Sequence, residues 1–188
     1  MFLVDGIPML NYKQLCDDLG YSYTENNGVL EITTPQNALL KEYTVTSGKY
    51  DFKNFQVLGW KSSQMELTPM ADSLICTSKD TNRDPQLNIV DIELQASSIK
   101  TLTIRCRYSY TAEKPSYMQL FYITNSNPNW DEEKSIRIPL NSTDSNGEWE
   151  TYTVDLTTQA MWKDTVTKIR LDPFAAYGTM EYDSIIFE

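Results

Sequence analysis

The sequence predicts a mainly β chain: an antiparallel β-sandwich of the jelly-roll kind behind a small N-terminal α+β unit. Two observations carry this. From about Glu42 onward the apolar residues recur with a period of two almost everywhere. About nine or ten such runs follow at intervals of roughly ten to fifteen residues, divided by turn signals, which is the layout of stacked antiparallel sheets. The first 35 residues differ and read strand, strand, helix, strand, strand.

The N-terminal elements come in order. "FLVDGIPML" sets Asp5-Gly6 between two apolar runs, a short hairpin signal. In "NYKQLCDDLG", Tyr12, Leu15, Cys16 and Leu19 fall on one face of a helix, with Asn11 suited to its start and Gly20 to the left-handed position after its end. "YSYTENNGVLEITT" is a second hairpin turning at Asn27-Gly28. A unit this small has little core of its own. On "LVDGIPM", "LCDDLGYSY" and "GVLEIT" it resembles the copper amine oxidase N-terminal-like (stalk-type) repeat of exported proteins of Gram-positive bacteria. The resemblance implies a spacer. Histidine-bound copper is excluded, because the chain has no histidine.

"PQNALLKE" marks the junction, with residues 36–42 as linker and 43–188 as the second domain. There "TLTIRCRYSY" puts Leu102, Ile104, Cys106, Tyr108 and Tyr110 on one face, and Thr101, Thr103, Arg105, Arg107 and Ser109 on the other. In "YMQLFYIT", Tyr117, Gln119 and Phe121 oppose Met118, Leu120 and Tyr122. "TYTVDL" alternates Tyr152, Val154 and Leu156 against threonine and aspartate. "TVTKIRL" turns Thr167, Ile169 and Leu171 away from Lys168 and Arg170. "DSNGEW" fails as a calcium loop, since Ser142 and Thr153 would stand at its first and last ligand positions. It reads instead as a hairpin turn at Asn146-Gly147.

The segments "YDFKNFQVLGW", "RDPQL" and "WKDTVTKIRLDPFAAYGTMEYDSIIF" together resemble the carbohydrate-binding-module-like β-sandwich domains of bacterial surface and secreted proteins. Trp162, Arg170, Asp172, Pro173, Gly178 and Asp183 match the family's C-terminal pattern. Lys163-Asp164, Ile169 and Ser184 depart from it. The resemblance implies a sandwich with one concave outer face and, between first and last strands, a structural Ca²⁺. It suggests Asp183 as a calcium ligand, joined by Asp51 or by carbonyls near residues 49–52. The alternative for Asp183 is a hydrogen-bonded carboxylate. Asp172-Pro173 and Asp84-Pro85 read as turn formers, and Arg170, two residues before Asp172 on the same strand face, is placed to add a charge-assisted contact.

Sugar recognition needs aromatic platforms and planar polar groups. Trp130, between the polar "TNSNPN" and the charged "DEEK", is the exposed candidate, whereas Trp60, Trp149 and Trp162 are expected in the core. Arg105, Arg107, Gln119, Phe121 and Arg137 are expected to meet in one patch on neighbouring strands. The expected function is therefore a non-catalytic module that holds a larger secreted or cell-surface protein, with an appended enzyme or anchor, to a polysaccharide. The alternative is a spacer or assembly domain with no glycan ligand.

Composition narrows the classes. With no histidine, the Ser-His-Asp triad, the Cys-His dyad and His-ligated zinc are impossible. No carboxylate pair is singled out for glycoside hydrolysis. The net charge of −10 disfavours nucleic acid and anionic membranes. No run reaches the roughly 18 apolar residues that span a bilayer. "MFLVDGIPML" lacks a signal peptide's basic start and long apolar run, so an exported protein is expected to have lost its leader. Cys16, Cys76 and Cys106 lack CxxC spacing and read as buried thiols rather than a bridge.

Overall fold

The computed structural model describes residues 2–4, 7–9, 22–26, 29–33, 47–78, 84–111, 117–173 and 177–188. The chain forms two compact units, Met1–Glu42 and Tyr43–Glu188. In the first, β1 (Phe2–Val4) pairs antiparallel with β2 (Ile7–Met9), and β3 (Ser22–Asn26) with β4 (Val29–Thr33). The helix expected over residues 11–20, with Cys16 on it, lies outside the described residues. Among the described residues no helix is long and apolar enough to cross a membrane.

The second unit is a β-sandwich of two antiparallel sheets. Its strands are β5 (Lys49–Asp51), β6 (Lys61–Ser63), β7 (Met65–Pro69), β8 (Leu74–Ser78), β9 (Gln86–Gln95), β10 (Thr101–Thr111), β11 (Tyr117–Thr124), β12 (Ser135–Pro139), β13 (Glu150–Asp155), β14 (Thr165–Asp172) and β15 (Tyr177–Phe187). One sheet runs β13-β10-β15-β8-β7, with β5 beside the C-terminal half of β15. The other runs β12-β11-β14-β9-β6. The chain passes repeatedly from sheet to sheet, so most sheet neighbours are distant in sequence. The inner faces meet in one core. From β10 come Leu102, Ile104, Cys106, Tyr108 and Tyr110; from β11, Met118, Leu120 and Tyr122; from β15, Met180, Tyr182, Ile185 and Phe187. Burial of these apolar faces is the main force holding the sheets together.

Trp60 and Trp162 lie in this core as expected. The Trp162 ring stands edge-on to Tyr122, stacks on Phe187, and donates Nε1–H to the Ile99 carbonyl. Cys76 and Cys106 are buried free thiols, and burial pushes the Cys106 thiol up to about 12.

Two expectations need correction. In β14, Val166 rather than Thr167 joins Ile169 and Leu171 in the core. The register shifts between Val166 and Lys168, so an irregularity resets the alternation there. Asn146 and Gly147 both take the left-handed conformation, and Glu148 N–H bonds the Ser145 carbonyl, closing a tight turn. That turn does not join two paired strands, because β12 and β13 lie in different sheets. It loops out of a single line along β10, where Ser109 bridges Asp144 and Cys106 pairs with Glu150.

Candidate functional site

The outer face of the β12-β11-β14-β9-β6 sheet carries an unusual arrangement. Gln119, Phe121 and Ile123 point away from the core yet are buried, and Phe121 and Ile123 lie outside the core cluster. On this face, neighbouring side chains cover part of the sheet: Arg170 lies over Phe121, and Glu132 and Ser135 bond Gln119. Strand register builds the face in rows. Arg137, Gln119 and Asp172 form one; Ser135, Phe121, Arg170, Asn88 and Lys61 form the next; Ile123, Lys168 and Val90 form the third.

Arg170 sits at its centre. Its Nε and Nη2 donate to the two oxygens of Asp172, each at 2.6 Å, and Nη2 also reaches Asp84 Oδ1 at 3.0 Å. So held, the guanidinium lies over the Phe121 ring, 5.1 Å from its centroid. Burial pushes the Asp172 carboxyl up, against the pull of Arg170, while Asp172 and Asp84 outweigh burial in holding the guanidinium charged. The two Asp-Pro aspartates were expected to serve backbone turns. Their described side-chain partners are Arg170, for both, and Gln86 for Asp84. Arg170 thus makes charge-assisted bonds to both aspartates, and the turn after Asp172-Pro173 lies outside the described residues.

The β11–β12 connection borders this face. Its 3-10 turn, Glu132–Lys134, carries Glu132 back toward the sheet. Glu132 Oε2 accepts from Gln119 Nε2 at 2.9 Å and lies 3.7 Å from Arg137 Nη2. Gln119 Nε2 also reaches Ser135 Oγ at 2.9 Å, and Arg137 lies over the Tyr117 ring at 5.0 Å. Trp130, two residues before Glu132, is 44% exposed. Of the expected site residues, Gln119, Phe121 and Arg137 therefore share one face, and Trp130 stands on the connection that borders it.

Arg105 and Arg107 do not join them. β10 and β11 belong to different sheets, so the two arginines point from the opposite side of the sandwich. There Arg105 Nη1 lies 3.2 Å from Asp183 Oδ1, and Arg107 binds Glu181 through Nε at 2.7 Å and Nη2 at 2.9 Å. Both guanidiniums pack on Trp149, 4.9 and 4.6 Å from its ring centroid. Trp149 is thus half-buried on an outer face and not in the core. The alternation that turns Tyr152 inward turns residue 149 outward with Thr151 and Thr153, a signal present in the sequence.

Asp183 and Asp51 do not fit a calcium centre. Asp183 is engaged by Arg105 on Oδ1 and by the Ser184 hydroxyl on Oδ2, and Asp51 Oδ2 takes Lys53 Nζ at 2.8 Å. A hard divalent ion wants several converging oxygens without a competing cation. No group of three acidic or cysteine side chains converges among the described residues. Asp183 is instead a hydrogen-bonded, ion-paired carboxylate.

No protein-family model matches the sequence, and no curated protein matches it. Among solved structures, a family 29 carbohydrate-binding module variant complexed with mannohexaose is similar at a TM-score of 0.48 and 9% identity, over 75% of this chain and 92% of that one. Another family 29 module gives 0.47 and 10%, over 73% and 85%. A structure described as CBM4 gives 0.43 and 20%, over 69% and 79%.

Proposed function

We propose that Tyr43–Glu188 is a non-catalytic carbohydrate-binding module of a larger secreted or cell-surface bacterial protein, preceded by a stalk-type spacer. One observation carries the reading. An aromatic ring, Phe121, is buried outside the core on an outer sheet face, beneath an arginine that two aspartates hold in place. A core needs no such ring. A site that orders planar polar groups around apolar surface does, and polysaccharide recognition uses that combination. Gln119, Asn88, Arg137 and Arg170 supply amide and guanidinium planes for hydroxyls, while Tyr117 and Trp130 add aromatic surface. The carboxylates beside them are committed: Asp172 gives both oxygens to Arg170, and Glu132 serves Gln119 and Arg137. That favours binding over hydrolysis, which needs one carboxyl free to give up a proton.

Affinity electrophoresis tests this, in gels cast with mannan, xylan, mixed-linkage β-glucan and acidic polysaccharides. The chain is expected to be retarded by at least one of them. Arg137→Ala and Trp130→Ala, both exposed, are expected to weaken retardation about tenfold with an unchanged melting temperature. Retardation by none would leave the unit a spacer, and retardation unaffected by either substitution would place the site elsewhere.

A further inference from the structure

We propose a second carbohydrate-contact surface on the opposite sheet, with Trp149 as its platform and neutral, hydroxyl-rich sugars as its ligand. The proposal rests on the carbohydrate-binding reading above but uses none of the same residues. Three observations carry it.

The first is the indole itself. Of the four tryptophans, Trp60 and Trp162 fill the core and Trp130 stands on the loop beside the first face. Trp149 alone lies half-buried on the outer face of the other sheet. Extending the β10–β13 register by one residue from the Cys106–Glu150 pair sets it opposite Arg107, at the sheet edge.

The second is the support beneath it. Arg105 and Arg107, two residues apart on one face of β10, both pack on the ring. Each is held in turn. Glu181 grips Arg107 with both oxygens and accepts 2.6 Å from the hydroxyl of fully buried Ser73; Asp183 takes Arg105 and the Ser184 hydroxyl. Carboxylates fix guanidiniums, and guanidiniums fix the indole. An aromatic plate immobilised in this way loses little side-chain entropy when a ligand stacks on it.

The third is charge. The cations Lys49, Lys53, Arg105 and Arg107 on or beside this face each have a carboxylate partner: Glu188, Asp51, Asp183 and Glu181. Pairs that cancel leave no net attraction for an anion, but they keep N–H donors and carboxylate oxygens in place. Such groups recognise hydroxyls, as the apolar face of a pyranose covers the ring.

Two surfaces on opposite faces would make one module bivalent, so it should cross-link polymer chains and gain avidity. The test uses the full chain with the neutral polysaccharide that retards it most. Trp149→Leu removes the aromatic plate while keeping apolar bulk, and Trp149→Tyr restores a plate. The wild type is expected to precipitate the polysaccharide. Trp149→Leu is expected to remain retarded but to precipitate nothing, with Trp149→Tyr regaining precipitation and all melting temperatures alike. The Arg137→Ala/Trp130→Ala double variant is expected to keep a residual retardation that Trp149→Leu abolishes. If the double variant alone abolishes retardation, or Trp149→Leu precipitates like the wild type, the second surface falls and the first stands. If no polysaccharide retards the wild type, both fall. A Trp149→Leu chain that melts early while Trp149→Tyr precipitates nothing despite a normal melting temperature also overturns the proposal.

Discussion

The amino group of Lys134, only 1% exposed, donates to the carbonyl of Asn129, the residue immediately before Trp130. The same Nζ donates to the Asn127 carbonyl at 2.9 Å, and the Lys134 backbone N–H reaches the carbonyl of Asp131, immediately after Trp130. One residue thus ties down the chain on both sides of the exposed indole. Burying an amino group is unfavourable unless its bonds are filled, and here loop carbonyls fill them.

Lys134→Met keeps the length of the stem and deletes those donors. The expected loss is about 2–3 kcal/mol, from two carbonyls left without a strong donor. Hydrogen exchange locates it: amides in residues 125–131 should exchange faster while those of β9 and β10 keep their protection. Uniform acceleration across the sandwich would show that Lys134 supports the core instead.

Gly178 explains one position of the C-terminal pattern. A Cβ there would stand 2.4 Å from the Ser109 carbonyl oxygen and 2.5 Å from the Tyr110 Cα. Those atoms are backbone in the paired β10 and cannot rotate away. Gly178→Ala is expected to cost about 3 kcal/mol, lowering the melting temperature by ~10 °C. An unchanged thermal transition would mean the strands separate freely at this point.

Much of this was legible in the sequence, and the reason is local. Alternation sorted the side chains of β10 and β11 into inner and outer sets, because the period of two is a backbone property. It also placed Arg170 and Asp172 on a shared face. What it left open was which sheet each strand joins. Arg107 and Gln119 both read as outward, and nothing in either strand says that outward means opposite sides of the sandwich. Pairing partners such as β10 with β15 are distant in sequence and are fixed by packing. Trp149 is a different case. Its place at the opening of a strand argued for the core, while the parity of that strand puts it on the surface, where it lies half-buried.

The tyrosine hydroxyls separate into two kinds. Tyr152 hydrogen-bonds Glu150 and Tyr108, and burial together with these partners raises its pKa far above the ordinary value. Tyr182 is fully buried with no partner for its hydroxyl among the described residues. Tyr152→Phe should therefore destabilise by about 1–3 kcal/mol, since it removes satisfied bonds around a carboxylate, whereas Tyr182→Phe should be neutral or gain about 1 kcal/mol. Urea titration of both variants checks the contrast. A Tyr182→Phe loss as large as that of Tyr152→Phe would contradict it.

Glu181 sets the acid sensitivity of the second face. Burial pushes its carboxyl up, but the bidentate Arg107 and the Ser73 hydroxyl outweigh burial and hold it below the usual range. A carboxyl depressed in the folded state binds its proton more weakly there than in the unfolded chain. Its contribution is therefore present above the unfolded value, about 4.3 for glutamate, and is lost as pH falls through the lower folded value. Glu181→Gln cannot make that contribution at any pH. At neutral pH it should cost about 1–2 kcal/mol, a modest figure because Arg107 is well exposed and solvent screens the pair. The gap between the wild-type and Glu181→Gln melting temperatures should then shrink steadily below about pH 4. A gap constant from pH 7 to pH 3 would mean that Glu181 acts through shape and not through its charge. The support under Trp149 would then lose its electrostatic basis.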